Sequence, residues 1–168
     1  MTKYLSLLSF LLIPLLIWWN PSWFSLMGLQ PYWPIFWLLP WAVIKGPFKT
    51  MMTGLLLGLI LDSINNDLYT QVPGLMMSGF WFGRICNESK FNLNALQFSL
   101  IASLGSFICG LIYFSQIVLH VYFSNSVFWL LSYGVKIIFT QLLLTGLLAP
   151  VFCSWLYLLF SREDQLKV

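Results

Sequence analysis

The chain has 168 residues, of which 60% are hydrophobic and only 8% are charged, and its formal net charge is +3. A soluble domain carries about 25% charged residues, and no water-soluble fold of this size could bury so much apolar surface. The composition therefore excludes an ordinary soluble domain and predicts an all-α integral membrane protein. Every polar stretch is short, so we expect any binding chemistry within the helix bundle or at its rims.

Six apolar runs are predicted as membrane-crossing helices, and together they form a single transmembrane domain over residues 1–168. The runs cover residues 4–19, 32–44, 50–64, 72–85, 96–122 and 132–160. Lys3 precedes the first run as in a signal peptide, but the run ends without a small-residue cleavage pattern. A retained first helix is therefore favoured over a cleaved signal.

Prolines make two of the predicted spans irregular. The second run is shorter than the roughly 20 residues of a span and contains Pro34 and Pro40. We therefore expect a tilted or irregular helix that is shielded by its neighbours. The last run is too long for one untilted span, and Pro150 leaves open whether it forms one kinked helix or two segments.

The basic residues predict the orientation of the six spans. Lys and Arg occur before the first span, in every second connection and after the last span, whereas the three other connections contain none. The connecting and terminal cations are Lys3, Lys45, Lys49, Arg84, Lys90, Arg162 and Lys167. Because positively charged connections stay in the cytoplasm, both termini are expected to be cytoplasmic.

The third run carries the most informative pattern, a stripe of two glycines and a carboxylate. Gly54, Gly58 and Asp62 follow each other at a spacing of four, which places them on one face of a helix. Small residues let helix backbones approach closely in lipid, and an ionisable residue there is costly unless it is paired or hydrated. This face is therefore expected to contact protein, either inside the bundle or on a partner helix from another chain.

Asp62 and Lys136 are the two ionisable residues predicted to lie within the membrane. Asp62 falls near the outer end of the third span and Lys136 in the outer part of the sixth, so they are expected at similar depth. An unpaired charge at mid-bilayer costs about 2.5–3.5 kcal/mol on the insertion scale. An Asp62–Lys136 ion pair is therefore one hypothesis, and separate contact of each residue with the outer interface is the alternative.

The sequence contains no set of residues typical of an enzyme. It lacks a Ser/His/Asp set, paired carboxylates within one helix, a His cluster and a phosphate-binding loop. The cysteines have no metal-ligand spacing and are interpreted as small apolar side chains of the core: Cys86, Cys109 and Cys153. We therefore expect no enzymatic activity, no metal, no cofactor and no nucleic-acid partner.

The order of these features resembles the MreD family, the small membrane subunit of the bacterial rod-shape (elongasome) system. The family often has a charged residue beside the proline that opens the second helix, and here Gln30 and Tyr32 flank Pro31. The resemblance is carried by Leu29-Gln30-Pro31, by Lys45 in a short basic turn, and by Thr53-Gly54-x-x-x-Gly58-x-x-x-Asp62.

The resemblance implies a multi-pass protein of the bacterial cytoplasmic (inner) membrane that regulates cell shape and peptidoglycan synthesis. Such a protein acts with an MreC-like partner, and through it with MreB, RodA and a penicillin-binding transpeptidase. The resemblance also implies a fold similar to the substrate-binding S-component of energy-coupling-factor vitamin transporters.

Two functions follow as alternatives. The first is a non-enzymatic scaffold that docks the single helix of a partner, with Gly54 and Gly58 as the candidate contact face. The second is a small-molecule-binding subunit of an energy-coupling-factor-type vitamin transporter, which should have a polar cavity that opens outward.

Overall fold

A computed structural model of the chain describes residues 29–65, 69–88, 94–122 and 127–165. Every regular element in these ranges is an α-helix. In chain order the helices are α1 (Trp33–Lys45), α2 (Pro47–Asn65), α3 (Val72–Glu88), α4 (Ala95–Tyr122) and α5 (Val127–Gln165). They coincide with the second to sixth predicted spans, whereas the first predicted span and both chain termini lie outside the described residues.

Helix α1 is the centre of the bundle. It has 13 residues, or about 20 Å at 1.5 Å per residue, which is too short to cross a bilayer alone. It contacts all four other helices, and residues 33–40 are all buried. The other helices pair into two hairpins around it, α2 with α3 and α4 with α5.

A single residue separates α1 from α2, where the sequence predicted a basic turn over residues 45–49. Gly46 has φ +78°, a left-handed conformation that glycine adopts without strain. Its carbonyl oxygen accepts hydrogen bonds from the backbone N–H and the hydroxyl of Thr50, at 3.2 and 2.8 Å. These bonds start α2 directly at Pro47, whose missing N–H costs nothing at a first helical position.

Helix α5 is continuous through Pro150 over 39 residues, or about 58 Å. The last apolar run is therefore one helix and not two segments. It starts at Val127, earlier than the predicted boundary at residue 132. Helix α3 likewise extends three residues beyond its predicted end at residue 85, into the polar stretch that begins with Arg84.

Among the described helices, three are long and apolar enough to cross a membrane, by length and composition: residues Pro47–Ile64, Leu96–His120 and Gly134–Ser161. Only 28% of each of these segments is buried inside the protein. The remainder presents large apolar side chains outward, among them Leu100, Leu147 and Val151. A soluble monomer rarely exposes apolar patches of more than a few hundred Å², so these surfaces identify a membrane protein.

The basic residues around the α1–α2 turn and near the end of α3 lie together at one end of the bundle. Gly83 packs against Pro47, which brings Arg84 beside the turn that carries Lys45 and Lys49. The ammonium group of Lys45 lies 5.7 Å from the ring centroid of Trp41, within the range of a cation–π contact. The opposite end of α2 carries Asp62, and the placement of the basic end in the cytoplasm stays a prediction.

Candidate functional site

The glycine stripe of α2 lies against α3 of the same chain. A Cβ atom on Gly54 would be 2.5 Å from the carbonyl oxygen of Leu75, and one on Gly58 would be 2.7 Å from Cα of Val72. Side chains do not tolerate contacts this short, so glycine is what lets the two backbones approach.

Two glycines of α3 contribute to the same contact from the other side. A Cβ atom on Gly79 would be 2.8 Å from the carbonyl oxygen of Thr50, and one on Gly83 would overlap Pro47. Glycines of both helices thus form the seam of an antiparallel hairpin. The stripe is covered within the chain, so a partner helix would have to bind a different face.

Asp62 ends the stripe at the start of α3. It is half-buried, and its Oδ1 accepts a hydrogen bond of 2.9 Å from the backbone N–H of Gln71. The Gln71 carbonyl accepts the first backbone bond of α3, from Leu75, so Gln71 is the N-cap. A carboxylate at this position satisfies an otherwise unpaired N–H and interacts favourably with the helix dipole.

The structure does not bring Asp62 and Lys136 together. Lys136 is exposed on α5, and no ion pair joins the two residues in the described part of the chain. The helices that carry them, α2 and α5, share no extended packing. The backbone N–H of Gln71, and not the ammonium group of Lys136, contacts the Asp62 carboxylate.

A polar cluster surrounds Asp62 and includes residues within or next to all five described helices. The hydroxyl of Tyr32 donates to Oε1 of Gln71 at 3.1 Å, and the backbone N–H of Tyr32 donates to Oγ1 of Thr145 at 3.1 Å. The amide of Gln116 forms two 3.0 Å hydrogen bonds with the backbone of Thr70. We define the polar cluster as Tyr32, Asp62, Thr70, Gln71, Gln116 and Thr145.

Two clefts adjoin this cluster, and Tyr32, Gln71 and Gln141 line both of them. The smaller cleft, of about 60 Å³, lies towards α4 and includes Cys109 and Tyr113. The larger cleft, of about 150 Å³, lies at the start of α1. Its remaining lining residues are Gln30, Pro31, Trp33, Pro34 and Leu61.

Gln30 lines the larger cleft and has an incompletely hydrogen-bonded amide. Its Nε2 atom is buried and has no hydrogen-bond acceptor in the described part of the protein. An unsatisfied buried donor costs about 1–3 kcal/mol, so it is a feature that needs an explanation.

The prolines inside α1 and α5 are matched by polar side chains on neighbouring helices. Pro150 has no N–H for the carbonyl of Gly146, and the hydroxyl of Ser99 donates to that oxygen at 2.6 Å. Pro40 likewise frees the carbonyl of Phe36, which accepts from the Cys153 thiol at 3.7 Å. Cys153 is therefore a weak hydrogen-bond donor in the core as well as a small side chain.

Metal binding has no candidate in the described residues, since no group of three or more His, Cys, Asp or Glu side chains occurs there. Cys86, Cys109 and Cys153 are buried free thiols. His120 lies on the exposed side of α4, with its ring 5.9 Å from that of Tyr69 in an edge-on contact.

Sequence reasoning missed the glutamines. Gln30, Gln71, Gln116 and Gln141 all lie at the polar cluster or its clefts, at the ends of or inside apolar segments. An amide in an otherwise apolar run is a signal comparable to a charge, because each unsatisfied polar group is costly in hydrocarbon.

Comparison of the chain with protein-family models, with curated proteins and with solved structures gives no match.

Proposed function

We propose that the chain is a non-enzymatic scaffold of the bacterial cell-elongation machinery in the cytoplasmic membrane. It would bind an MreC-like protein and thereby act on MreB, RodA and a penicillin-binding transpeptidase, regulating rod shape and peptidoglycan synthesis. The proposal rests on the resemblance of Thr53-Gly54-x-x-x-Gly58-x-x-x-Asp62 and its neighbouring turns to the MreD family.

The close packing of α2 against α3 is the observation that favours a scaffold over a carrier. Glycine contacts fix the two backbones against each other, and Asp62 closes the hairpin by capping α3. A unit packed this closely suits a rigid platform for other membrane helices. The exposed apolar faces of α4 and α5 provide the surface for them.

Capture from membranes tests this proposal. The full chain, tagged and solubilised in mild detergent from a rod-shaped bacterium that encodes an MreC-like protein, should retain that protein. A variant at an exposed apolar position of α5, Leu147→Trp, is compared with a matched variant on α2, Leu56→Trp. Retention that falls for one and not the other locates the docking face, whereas the absence of the MreC-like protein from the wild-type capture overturns the proposal.

Gly58→Leu is unsuitable for locating a partner, because Gly58 contacts Val72 of the same chain. Loss of a partner in that variant would report a distorted hairpin. The Leu56 and Leu147 variants avoid this problem, because both side chains are mostly exposed.

The second candidate function is a small-molecule-binding subunit of an energy-coupling-factor-type transporter. The two polar clefts beside Tyr32 favour this second function, but both are small. Their volumes of about 60 and 150 Å³ are below the roughly 300–1,000 Å³ of sites that enclose drug-sized ligands. Tight binding of a vitamin by the purified chain would support this function, and co-purification with an ATPase module would separate it from the scaffold.

A further inference from the structure

The basic end of the α2–α3 hairpin has features of a binding site that the scaffold proposal does not use. Lys49 in the first turn of α2 and Arg84 near the end of α3 are both exposed. The close contact of Gly83 with Pro47 brings the two helix backbones together at this point. Lys45 lies just before α2, with its ammonium group beside the ring of Trp41. We define the basic patch as Lys45, Lys49 and Arg84.

The net charge of this end of the bundle is positive. The rings of Trp41 and Phe160 lie 5.6 Å apart, so α5 ends on the same side as the basic patch. By sequence, the segments expected at this end carry seven of the eight Lys and Arg residues and three of the five acids, Glu88, Glu163 and Asp164, a net charge of +4. Those expected at the opposite end carry Asp62, Asp67 and Lys136, a net charge of −1. An anion is therefore attracted to the basic end.

An exposed apolar stripe on α2 leads away from the basic patch. It consists of Phe48, Met52, Leu56 and Leu59, whose spacing places them on one face of the helix. Phe48 is adjacent to Lys49, and an exposed aromatic ring beside a cation is typical of a membrane interface. From Phe48 to Leu59 the stripe extends about 16 Å at 1.5 Å per residue, close to half of the roughly 30 Å hydrocarbon core. The stripe therefore has the length of one leaflet.

The combination of patch and stripe favours a lipid over a soluble anion. Lys and Arg side chains form charge-assisted hydrogen bonds with phosphate oxygens, and basic residues beside membrane helices attract anionic headgroups. A free phosphate would contact the cations alone and leave the stripe uncovered. An acyl chain attached to the phosphate would cover it.

We propose that the basic patch binds the phosphate headgroup of an anionic phospholipid, whose acyl chain lies along the exposed stripe of α2. The ammonium and guanidinium groups of the patch donate hydrogen bonds to the phosphate oxygens. This inference goes beyond the scaffold function and does not depend on it, because lipid binding requires no partner protein.

Native mass spectrometry of the full chain, purified in mild detergent, tests the proposal. The probe is dioleoyl phosphatidylglycerol, and the matched control is dioleoyl phosphatidylcholine, which has the same acyl chains and no net charge. The anionic lipid should bind with about tenfold higher affinity. Equal retention of the two lipids overturns the proposal. Excess glycerol 3-phosphate should not displace the lipid, and displacement would show that the site takes a soluble phosphate instead.

Substitutions of exposed lysines assign the binding to the patch. Lys49 is exposed and forms no ion pair within the part of the chain that the structure describes, so Lys49→Gln should leave the fold intact. It should weaken phosphatidylglycerol binding about fivefold, the usual contribution of one cation near a membrane surface, and Lys49→Arg should preserve binding.

The matched control is Lys136→Gln, which removes the same charge from an exposed position on α5 and should leave lipid binding unchanged. Equal weakening by Lys49→Gln and Lys136→Gln would show that net charge alone attracts the lipid, which contradicts the proposal. Unchanged binding in Lys49→Gln contradicts it as well.

Discussion

Asp62 shows how one carboxylate near a membrane interface can be stabilised without a cation. Its Oδ1 accepts the backbone N–H of Gln71 at the positive end of α3. The carboxylate therefore joins the ends of α2 and α3 as a capping group. This role requires an acceptor oxygen more than a negative charge.

Two substitutions separate these contributions. Asp62→Asn keeps an acceptor oxygen and should change the free energy of unfolding by less than about 1 kcal/mol. Asp62→Leu leaves the Gln71 N–H unpaired and should cost about 1–2 kcal/mol, which lowers Tm by a few degrees for a chain of this size. Thermal unfolding in detergent, followed by size-exclusion chromatography, measures both. Equal loss in the two variants would show that the charge itself is required.

The proposed ion pair between Asp62 and Lys136 can be decided by a double-mutant cycle. Lys136 is exposed and Asp62 is bonded to Gln71, so the effects of Asp62→Asn and Lys136→Gln on stability should add. A coupling above about 0.5 kcal/mol, or rescue by exchanging the two charges, would instead establish the pair.

At the scale of the helices, the α2–α3 hairpin depends on backbone contact. Alanine is a better helix former than glycine by about 1 kcal/mol, so helix propensity alone predicts that Gly→Ala stabilises α2. The contact with the Leu75 carbonyl predicts the opposite at Gly54, because a backbone oxygen cannot move aside.

Gly54→Ala should therefore destabilise the protein by about 1–3 kcal/mol, the usual cost of overpacking. The matched control is Gly110→Ala on α4, where a Cβ atom would meet only the side chain of Ile138, at 3.3 Å. That variant should be close to neutral. Thermal unfolding of the two variants side by side measures the difference, and a stable Gly54→Ala protein would mean that the hairpin is looser than described.

Helix α5 depends on a second kind of contact between helices. Pro150 frees the Gly146 carbonyl, and Ser99 of α4 satisfies it at 2.6 Å. In an apolar environment an unpaired carbonyl is costly, so the serine and the proline are energetically coupled.

Ser99→Ala should cost about 1–2 kcal/mol in the wild-type chain. In a Pro150→Ala background the helix regains its own N–H donor, and the same Ser99→Ala change should cost less. The two changes should therefore be non-additive in a thermal-unfolding cycle. Additive effects would show that Ser99 contributes through packing and not through this hydrogen bond.

At the scale of the whole molecule, the basic residues and the polar cluster mark opposite ends of the bundle. Lys45, Lys49 and Arg84 lie at one end of the α1–α3 unit, and the polar cluster with Asp62 lies at the other. The positive-inside rule predicts that the basic end lies in the cytoplasm.

Cysteine labelling in membranes tests this orientation. Lys49→Cys and Thr70→Cys place thiols at exposed positions on opposite ends, and the native thiols in the described residues are buried. A membrane-impermeant maleimide should label Thr70→Cys in intact spheroplasts and Lys49→Cys only after lysis. The reverse pattern would invert the topology.

The glutamine-lined cleft and the glycine seam show which features of the candidate site could not be predicted from the sequence. Gly54 and Gly58 were recognised as a contact face, but spacing along one helix does not say which neighbour covers it. Gln30 was noted only as a departure from a family pattern, although its side chain lines the larger cleft.

Hydropathy and charge along the chain were enough to predict the membrane environment, the positions of the five described helices to within about five residues, and the occurrence of basic residues in alternate connections. These follow from hydropathy and charge, which are local properties that add along the chain. The packing of the helices was needed to show that α3 covers the glycine stripe, that Gln71 and not Lys136 contacts Asp62, and that distant glutamines meet at one cleft. Those outcomes depend on which helix faces approach each other, and side-chain packing between remote segments sets that choice.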